Sequence, residues 1–232
     1  MTVIKRKWNY FKQEFDPSTV GVLLTSHPRQ QMFWDQCLPS WDNSPYYVLQ
    51  GYDDVNTDAI IEPLKEYPGI KEVFATGTRS GHVGGELTQL KMGFEILYNK
   101  GFHYILKLAA DFQVRNLDGI KVLWEYLETP TYQIPGEGQS GAQLVGDQTA
   151  WMFGCAGILR SMMSNFDRGK KKGGSAELFC MRHRRLMNIT MVKLPVRIFE
   201  ILDMTHMQGL YAKEHGVKIQ NTWDIGEIYG NP

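Results

Sequence analysis

Strands alternating with helices along the first half of the chain predict an α/β fold: a mostly parallel central sheet, Rossmann-like, with helices on both faces. Two observations carry that expectation. Four short apolar runs, Val20–Thr25, Tyr46–Gln50, Lys71–Thr76 and Tyr104–Ala109, each stop at or just before hydroxyl, amide or carboxylate residues. Segments with helical signals fall between them. At 232 residues the chain can bury a sizeable core, and it reads as one domain. Residues 18–128 form the regular half of that domain, and residues 129–232 an irregular second half.

Each element follows from its residues. Val20–Thr25 is a buried strand, and Ser26-His27-Pro28 supplies a helix start, because Ser caps and Pro is tolerated in the first turn. The expected helix carries Met32, Phe33 and Cys37 and stops near Pro39. Tyr46–Gln50 is the second strand and ends at Gly51-Tyr52-Asp53-Asp54. Thr57–Glu66 reads as a short helix weakened by Pro63. After the third strand, Gly77–Gly85 reads as a glycine-rich loop. Glu86–Asn99 is a helix with Leu87, Leu90, Phe94 and Leu97 on one face, stopped by Gly101. The fourth strand runs into Ala110-Asp111. Asn116 is expected to cap a helix carrying Leu117, Ile120, Trp124 and Leu127.

The second half reads as a Pro/Gly/Gln-rich loop over 129–146, then a strand over Trp151–Leu159. A loop with Arg168-Gly-Lys-Lys-Lys172 follows, then a helix over Ala176–Met187 and a strand over Ile189–Arg197. The last expected helix, Thr205–His215, has Thr205 as its cap and Gly216 as its stop.

The formal net charge is zero, which gives no global reason for a nucleic acid or an acidic membrane as partner. Cys37, Cys155 and Cys180 form neither a disulfide framework nor a zinc pair, so they read as free thiols in a reducing compartment. The sequence shows no signal-peptide pattern and no apolar run of membrane-spanning length, and the expected location is the cytoplasm. Oligomeric state is not specified by these features.

In parallel sheets, ligands bind beyond the carboxyl ends of the strands. Thr25, Ser26, Asp53, Asp54, Thr76 and Asp111 all fall there. Gly81–Gly85 is neither a phosphate-binding Walker loop nor a GxGxxG fingerprint. The stretch Gly81-His-Val-Gly-Gly-Glu-Leu-Thr-Gln-Leu, followed by Gly101-Phe-His-Tyr-Ile-Leu-Lys-Leu-Ala-Ala-Asp111-Phe, resembles the nucleotide-sugar-binding half of GT-A fold glycosyltransferases of the family 2 kind. In those enzymes a glycine-containing loop and helix precede a buried strand that ends in an Asp-x-Asp motif. The resemblance spans Val20 to Leu127. It departs at the motif itself, which reads Ala109-Ala110-Asp111 and lacks the first carboxylate.

The resemblance implies transfer of a sugar from a nucleoside-diphosphate sugar to an acceptor hydroxyl, assisted by Mn²⁺ or Mg²⁺. It implies Asp111 as the central catalytic and metal residue, with His206 in Asp203-Met-Thr-His-Met completing the metal site. Glu177, opening a helix after a glycine-rich loop, matches the catalytic base of inverting members. Thr25 and Ser26 are placed at the nucleotide, Arg29 at a phosphate, and Asp53 or Asp54 at the base. Arg79 and His82 lie before the donor-side helix. A glycan or lipid-linked acceptor is the general expectation. A modified DNA base is the alternative, with Lys170-Lys171-Lys172 as its residue-level support.

The residues also allow plainer roles. Asp111 could cap a turn or pair with Arg115, Asp53-Asp54 could form a turn, and His206 could be a partly buried cap. Glu177 suits a helix first turn without catalysis. Trp151 and Phe153 suit a core, or could flank a sugar. Two rival functions remain open. A nucleotidyltransferase would need a basic glycine loop where Thr25-Ser-His-Pro-Arg-Gln30 has one Arg and no glycine. A non-catalytic nucleotide-sugar-binding module would account for the missing carboxylate.

Overall fold

The computed structural model describes residues 14–55, 62–77, 81–128, 144–145, 150–164, 166, 176–189, 191–192, 194 and 196–216. Its strands are β1 (Val20–Ser26), β2 (Tyr47–Tyr52), β3 (Ile70–Ala75), β4 (Tyr104–Ala109), β5 (Phe112–Val114), β6 (Leu144–Val145), β7 (Trp151–Cys155) and β8 (Met204–His206). The helices are α1 (Trp34–Cys37), α2 (Gly81–Asn99), α3 (Gly119–Glu128), α4 (Ala156–Met163), α5 (Ala176–Leu186), α6 (Ile198–Ile201) and α7 (Met207–Glu214).

Six strands form one sheet in the order β3-β2-β1-β4-β7-β6, while β5 and β8 pair separately. The first four are mutually parallel; β7 alone runs against its neighbours β4 and β6. The predicted α/β class with a mostly parallel sheet therefore holds.

The continuous apolar runs reflect burial on both faces. Alternate residues of β1 and β4 face opposite ways. Val22, Leu24, Leu106 and Leu108 join Trp34, Trp41 and the α3 residues Ile120 and Leu123 in one cluster. Leu23 and Ile105 join Leu90, Phe94 and Leu97 of α2, Leu159 and Met162 of α4, and Cys180 of α5 in the other. Each large apolar side chain buried this way contributes about 1.5–3 kcal/mol. α2 ends where Gly101 adopts a left-handed φ of 89°, a conformation that costs glycine little.

The connectivity fixes where a ligand can enter. The chain steps outward from β1 to β2 to β3, then returns through α2 to lay β4 on the other side of β1. The β1/β4 boundary is thus the point where strand order reverses, and the crevice of such sheets lies at the carboxyl ends there.

Several expected elements differ. The helix after β1 is a 3₁₀ segment, Pro28–Phe33, followed by the single turn α1 and a second 3₁₀ segment, Leu38–Trp41. Pro39 does not stop the winding, because it falls in the first turn of that new segment, where its missing N–H goes unused. Gly81–Gly85 is the start of α2 rather than loop. Asn116 does not cap α3; its amide donates to the Ile201 carbonyl, 2.8 Å, and the helix begins at Gly119. The run Trp151–Leu159 is not one strand. It leaves the sheet at Cys155, and the Ala156 N–H donates to the His103 carbonyl, 2.8 Å, as α4 begins.

Ile189–Arg197 forms no strand among its described residues beyond a bridge between Met191 and Leu144. Thr205 lies inside β8, and His206 takes the cap position of α7 without a side-chain cap bond. Gly216, with φ 62°, follows α7 as expected. Cys37 and Cys180 are buried and Cys155 half-buried, none of the three in a disulfide. Among the described residues no helix is long and apolar enough to cross a membrane.

Candidate functional site

β4 ends against β1: the Ala110 N–H donates to the Thr25 carbonyl, 2.8 Å. Asp111 comes next, at the strand-order reversal. The chain then turns into β5, whose antiparallel pairing with β8 sets Phe112 opposite His206. That register delivers the imidazole to the carboxylate. His206 Nε2 lies 3.0 Å from Asp111 Oδ2, and the Met207 N–H donates to the Asp111 carbonyl, 2.9 Å. The His206 ring rests on Phe112, with centroids 4.9 Å apart.

Asp111 is wholly buried, and its second oxygen, Oδ1, accepts no hydrogen bond among the described residues. Burial works against its charge. The neighbouring His206 charge and hydrogen bond, with help from Gln30, outweigh that and hold the carboxyl below its ordinary value. Cys37 feels the same surroundings: burial first, and then the Asp111 charge, push its thiol up, so it stays protonated. Arg115 does not pair with Asp111. Its guanidinium donates to Asp203, 2.9 and 3.1 Å, and to Thr205, 2.9 Å.

The ends of β1 and β2 are bonded inward. The Ser26 N–H donates to Gln89 Oε1 of α2, 2.9 Å, and Ser26 Oγ accepts from Gln50 Nε2, 2.9 Å. The Thr25 hydroxyl donates to Glu86 Oε1, 3.2 Å, and the same oxygen accepts from Lys107 Nζ. Thr25, Ser26 and Lys107 are all buried.

Asp53 is buried behind β2. Its N–H donates to the Ser26 carbonyl, 3.1 Å, and its Oδ1 accepts from the Thr76 hydroxyl, 2.9 Å. A Cβ on Gly85 would lie 2.1 Å from Asp53 Oδ2, so this helix position is glycine because a carboxylate occupies the space. The carboxylate also lies near the amino end of α2, where the helix dipole favours it. Asp54 is buried and accepts from the Val55 N–H, 2.6 Å.

The structure thus brings Thr25, Ser26, Asp53, Asp54, Thr76 and Asp111 to one edge, and adds His206 from 95 residues away. Arg29 lies in the 3₁₀ segment after β1, His82 in the first turn of α2 and Glu177 in the first turn of α5. The side chains of these three lie outside the described residues, as do Arg79 and Lys170, Lys171 and Lys172. Trp151 opens β7 opposite Leu108, half-buried against the α3-side cluster, while Phe153 is wholly core.

Sequence reasoning missed Glu86, Gln89 and Lys107. Lys107 did leave a signal: a charge inside the run Tyr104-Ile-Leu-Lys-Leu-Ala109, in a strand buried on both faces, requires a partner.

No protein-family profile matches the chain, and no curated protein matches it. Solved structures do resemble it. A cytidylyltransferase from Leptospira borgpetersenii serovar Hardjo-bovis superposes with a TM-score of 0.50 at 12% identity, over 78% of this chain and 77% of that one. A protein classed provisionally as a nucleotide-diphospho-sugar transferase, from Desulfovibrio desulfuricans G20, gives a TM-score of 0.46 at 9% identity, over 76% of this chain and 80% of that one. At these identities the resemblance is one of fold.

Proposed function

We propose that this protein is a glycosyltransferase that moves a sugar from a nucleoside-diphosphate sugar to an acceptor hydroxyl. One observation carries the reading: a fully buried carboxylate, Asp111, stands at the strand-order reversal, paired with His206 through one oxygen and, among the described residues, unpaired at the other. A buried anion with a vacant oxygen suits a cation or a hydroxyl brought by a ligand.

Among the described residues no three His, Cys, Asp or Glu side chains gather as a ready metal cage. Two ligands still fit Mg²⁺ or Mn²⁺ of the kind that is shared with substrate phosphates and water. Asp111 and His206 are the residues that would hold it, the imidazole in its neutral form. The ion would supply charge to offset the negative charge growing on the diphosphate as it leaves.

The protein's own groups account for the remaining steps. Arg29, Arg79 and His82 are the cations assigned to the diphosphate. Thr25, Ser26, Asp53 and Asp54 shape the nucleoside side at the ends of β1 and β2. Glu177, at the start of α5, is assigned the base. It takes the acceptor proton as the acceptor oxygen bonds to the anomeric carbon. The bond to the diphosphate breaks with its electron pair, which inverts the configuration. The acceptor assigned is a glycan or lipid-linked sugar.

A second reading, nucleotidyl transfer, is favoured by the fold shared with the cytidylyltransferase. Against it stands the segment after β1, which winds as a 3₁₀ helix with no glycine to cradle a triphosphate.

The two readings release different products. UDP-, GDP-, CDP- and dTDP-sugars with Mn²⁺ and a panel of acceptors are expected to yield nucleoside diphosphate. That yield should fall about 100-fold or more in Asp111→Ala, a loss typical of removing charge stabilisation at a reacting centre. Pyrophosphate from nucleoside triphosphates would instead establish the second reading. Binding with no turnover on any acceptor would make the chain a binding module.

A further inference from the structure

Lys107 lies in the middle of β4 with none of its surface exposed. An ammonium there needs a counter-charge at hydrogen-bonding distance. Glu86, in the second turn of α2, provides it. Its Oε1 accepts from both Lys107 Nζ and the Thr25 hydroxyl and is fully used. Its Oε2 accepts from no described residue, and the side chain keeps 17% of its surface exposed. Thr25 is the register partner of Ala109, the last residue of β4, so this half-free carboxylate stands at the rim of the β1/β4 crevice.

Lys107 Nζ is committed to Glu86 Oε1, and it serves to hold that carboxylate in place. A carboxylate only accepts hydrogen bonds, so it repels a diphosphate and selects a hydroxyl. The order of strands says which hydroxyl. In the nucleotide-sugar reading, on which this inference rests, the base lies toward β2 and the diphosphate toward Asp111 at the end of β4. β1 lies between them, as the ribose lies between base and diphosphate.

We propose that Glu86 Oε2 binds a ribose hydroxyl of the nucleotide, with Lys107 as its positioning residue.

Calorimetric titration of the full chain with UDP, GDP, CDP and ADP, each beside its 2′-deoxy and 3′-deoxy form, tests this. The wild type should bind the ribonucleotide it prefers about tenfold more tightly than at least one deoxy form, the range of a charge-assisted hydrogen bond. Glu86→Gln should erase most of that preference, its affinity for the ribonucleotide falling toward that for the deoxy form. Should that variant fold poorly, the double variant Glu86→Leu/Lys107→Met replaces the buried ion pair by apolar groups of similar size, an exchange proteins often tolerate. It should lose the preference completely. A wild type indifferent to the deoxy substitutions overturns the proposal, and so does a preference that survives in both variants. A wild type that binds no nucleotide at all overturns the nucleotide reading and this contact with it.

Discussion

The carboxyl edge of the sheet is built in two ways. At the ends of β1 and β2, polar side chains bond one another: Ser26 to Gln50 and Gln89, Thr25 to Glu86, Asp53 to Thr76. At the end of β4, Asp111 meets His206 through Oδ2, while its Oδ1 accepts from no described residue. Gln50 Oε1 is also buried and without a partner among the described residues, but it is neutral, and an anion's unpaired oxygen costs more. The contrast separates residues that bond to one another from a buried anion whose second oxygen meets no described residue. It also shows that a hydroxyl or carboxylate at a strand end is not by itself a ligand contact.

The contrast breaks most sharply at His206. His206→Ala leaves a buried carboxylate without its cation, which should cost about 3–5 kcal/mol at neutral pH. The effect has a defined pH dependence. In the wild type the Asp111 carboxyl lies below its ordinary value, so its share of stability is present above the usual carboxylate range and is lost as pH falls through the folded value. In the variant burial is opposed only by Gln30 and a backbone hydrogen bond, and the carboxyl moves up. The gap between the two proteins should therefore be widest near neutrality and narrow as pH drops through the carboxylate range. Urea unfolding at a series of pH values measures it, and a gap independent of pH would place the loss in packing alone.

On the other side of the comparison, Gly85→Ala puts a methyl group on Asp53 and should cost about 1–3 kcal/mol, the range for overpacking a tight site. The loss should shrink when Asp53→Ala is added, because the clash is with that carboxylate; independent losses would show that the helix start, not the contact, is at fault. The smallest expected effect is Thr76→Val, about 1 kcal/mol for one buried hydrogen bond. Thermal unfolding reads both, and nucleotide affinity should fall little in either if these residues serve the edge rather than the ligand.

Much of the parallel sheet was legible because its strands are continuous apolar runs closed by polar residues. β4 matches its expected span, and β1, β2 and β3 differ by a residue or two at their ends. α4 was hidden because Ala156-Gly-Ile-Leu159 extends the apolar run of β7 without a break, and periodicity cannot divide a short run into strand and helix. β5 and β8, three residues each, exist only through pairing with one another across the chain, so no local pattern announces them. Asp111 and His206 were named separately from a family resemblance; their 3.0 Å approach comes from that same long-range register. Glu86 looked like an ordinary helix residue until the Lys107 beneath it was seen to need it.

The β5–β8 pairing also sets a schedule. All four parallel strands are complete by residue 109, so the emerging chain carries the centre of its sheet well before its last third has been made. His206 arrives 95 residues after Asp111, and until then the carboxylate has no imidazole to meet. Because contacts so far apart in sequence close late, the Asp111–His206 contact follows assembly of the sheet instead of accompanying it. A nascent or truncated chain ending before β8 can acquire much of the architecture while the β5–β8 pairing and its carboxylate–imidazole contact stay unformed.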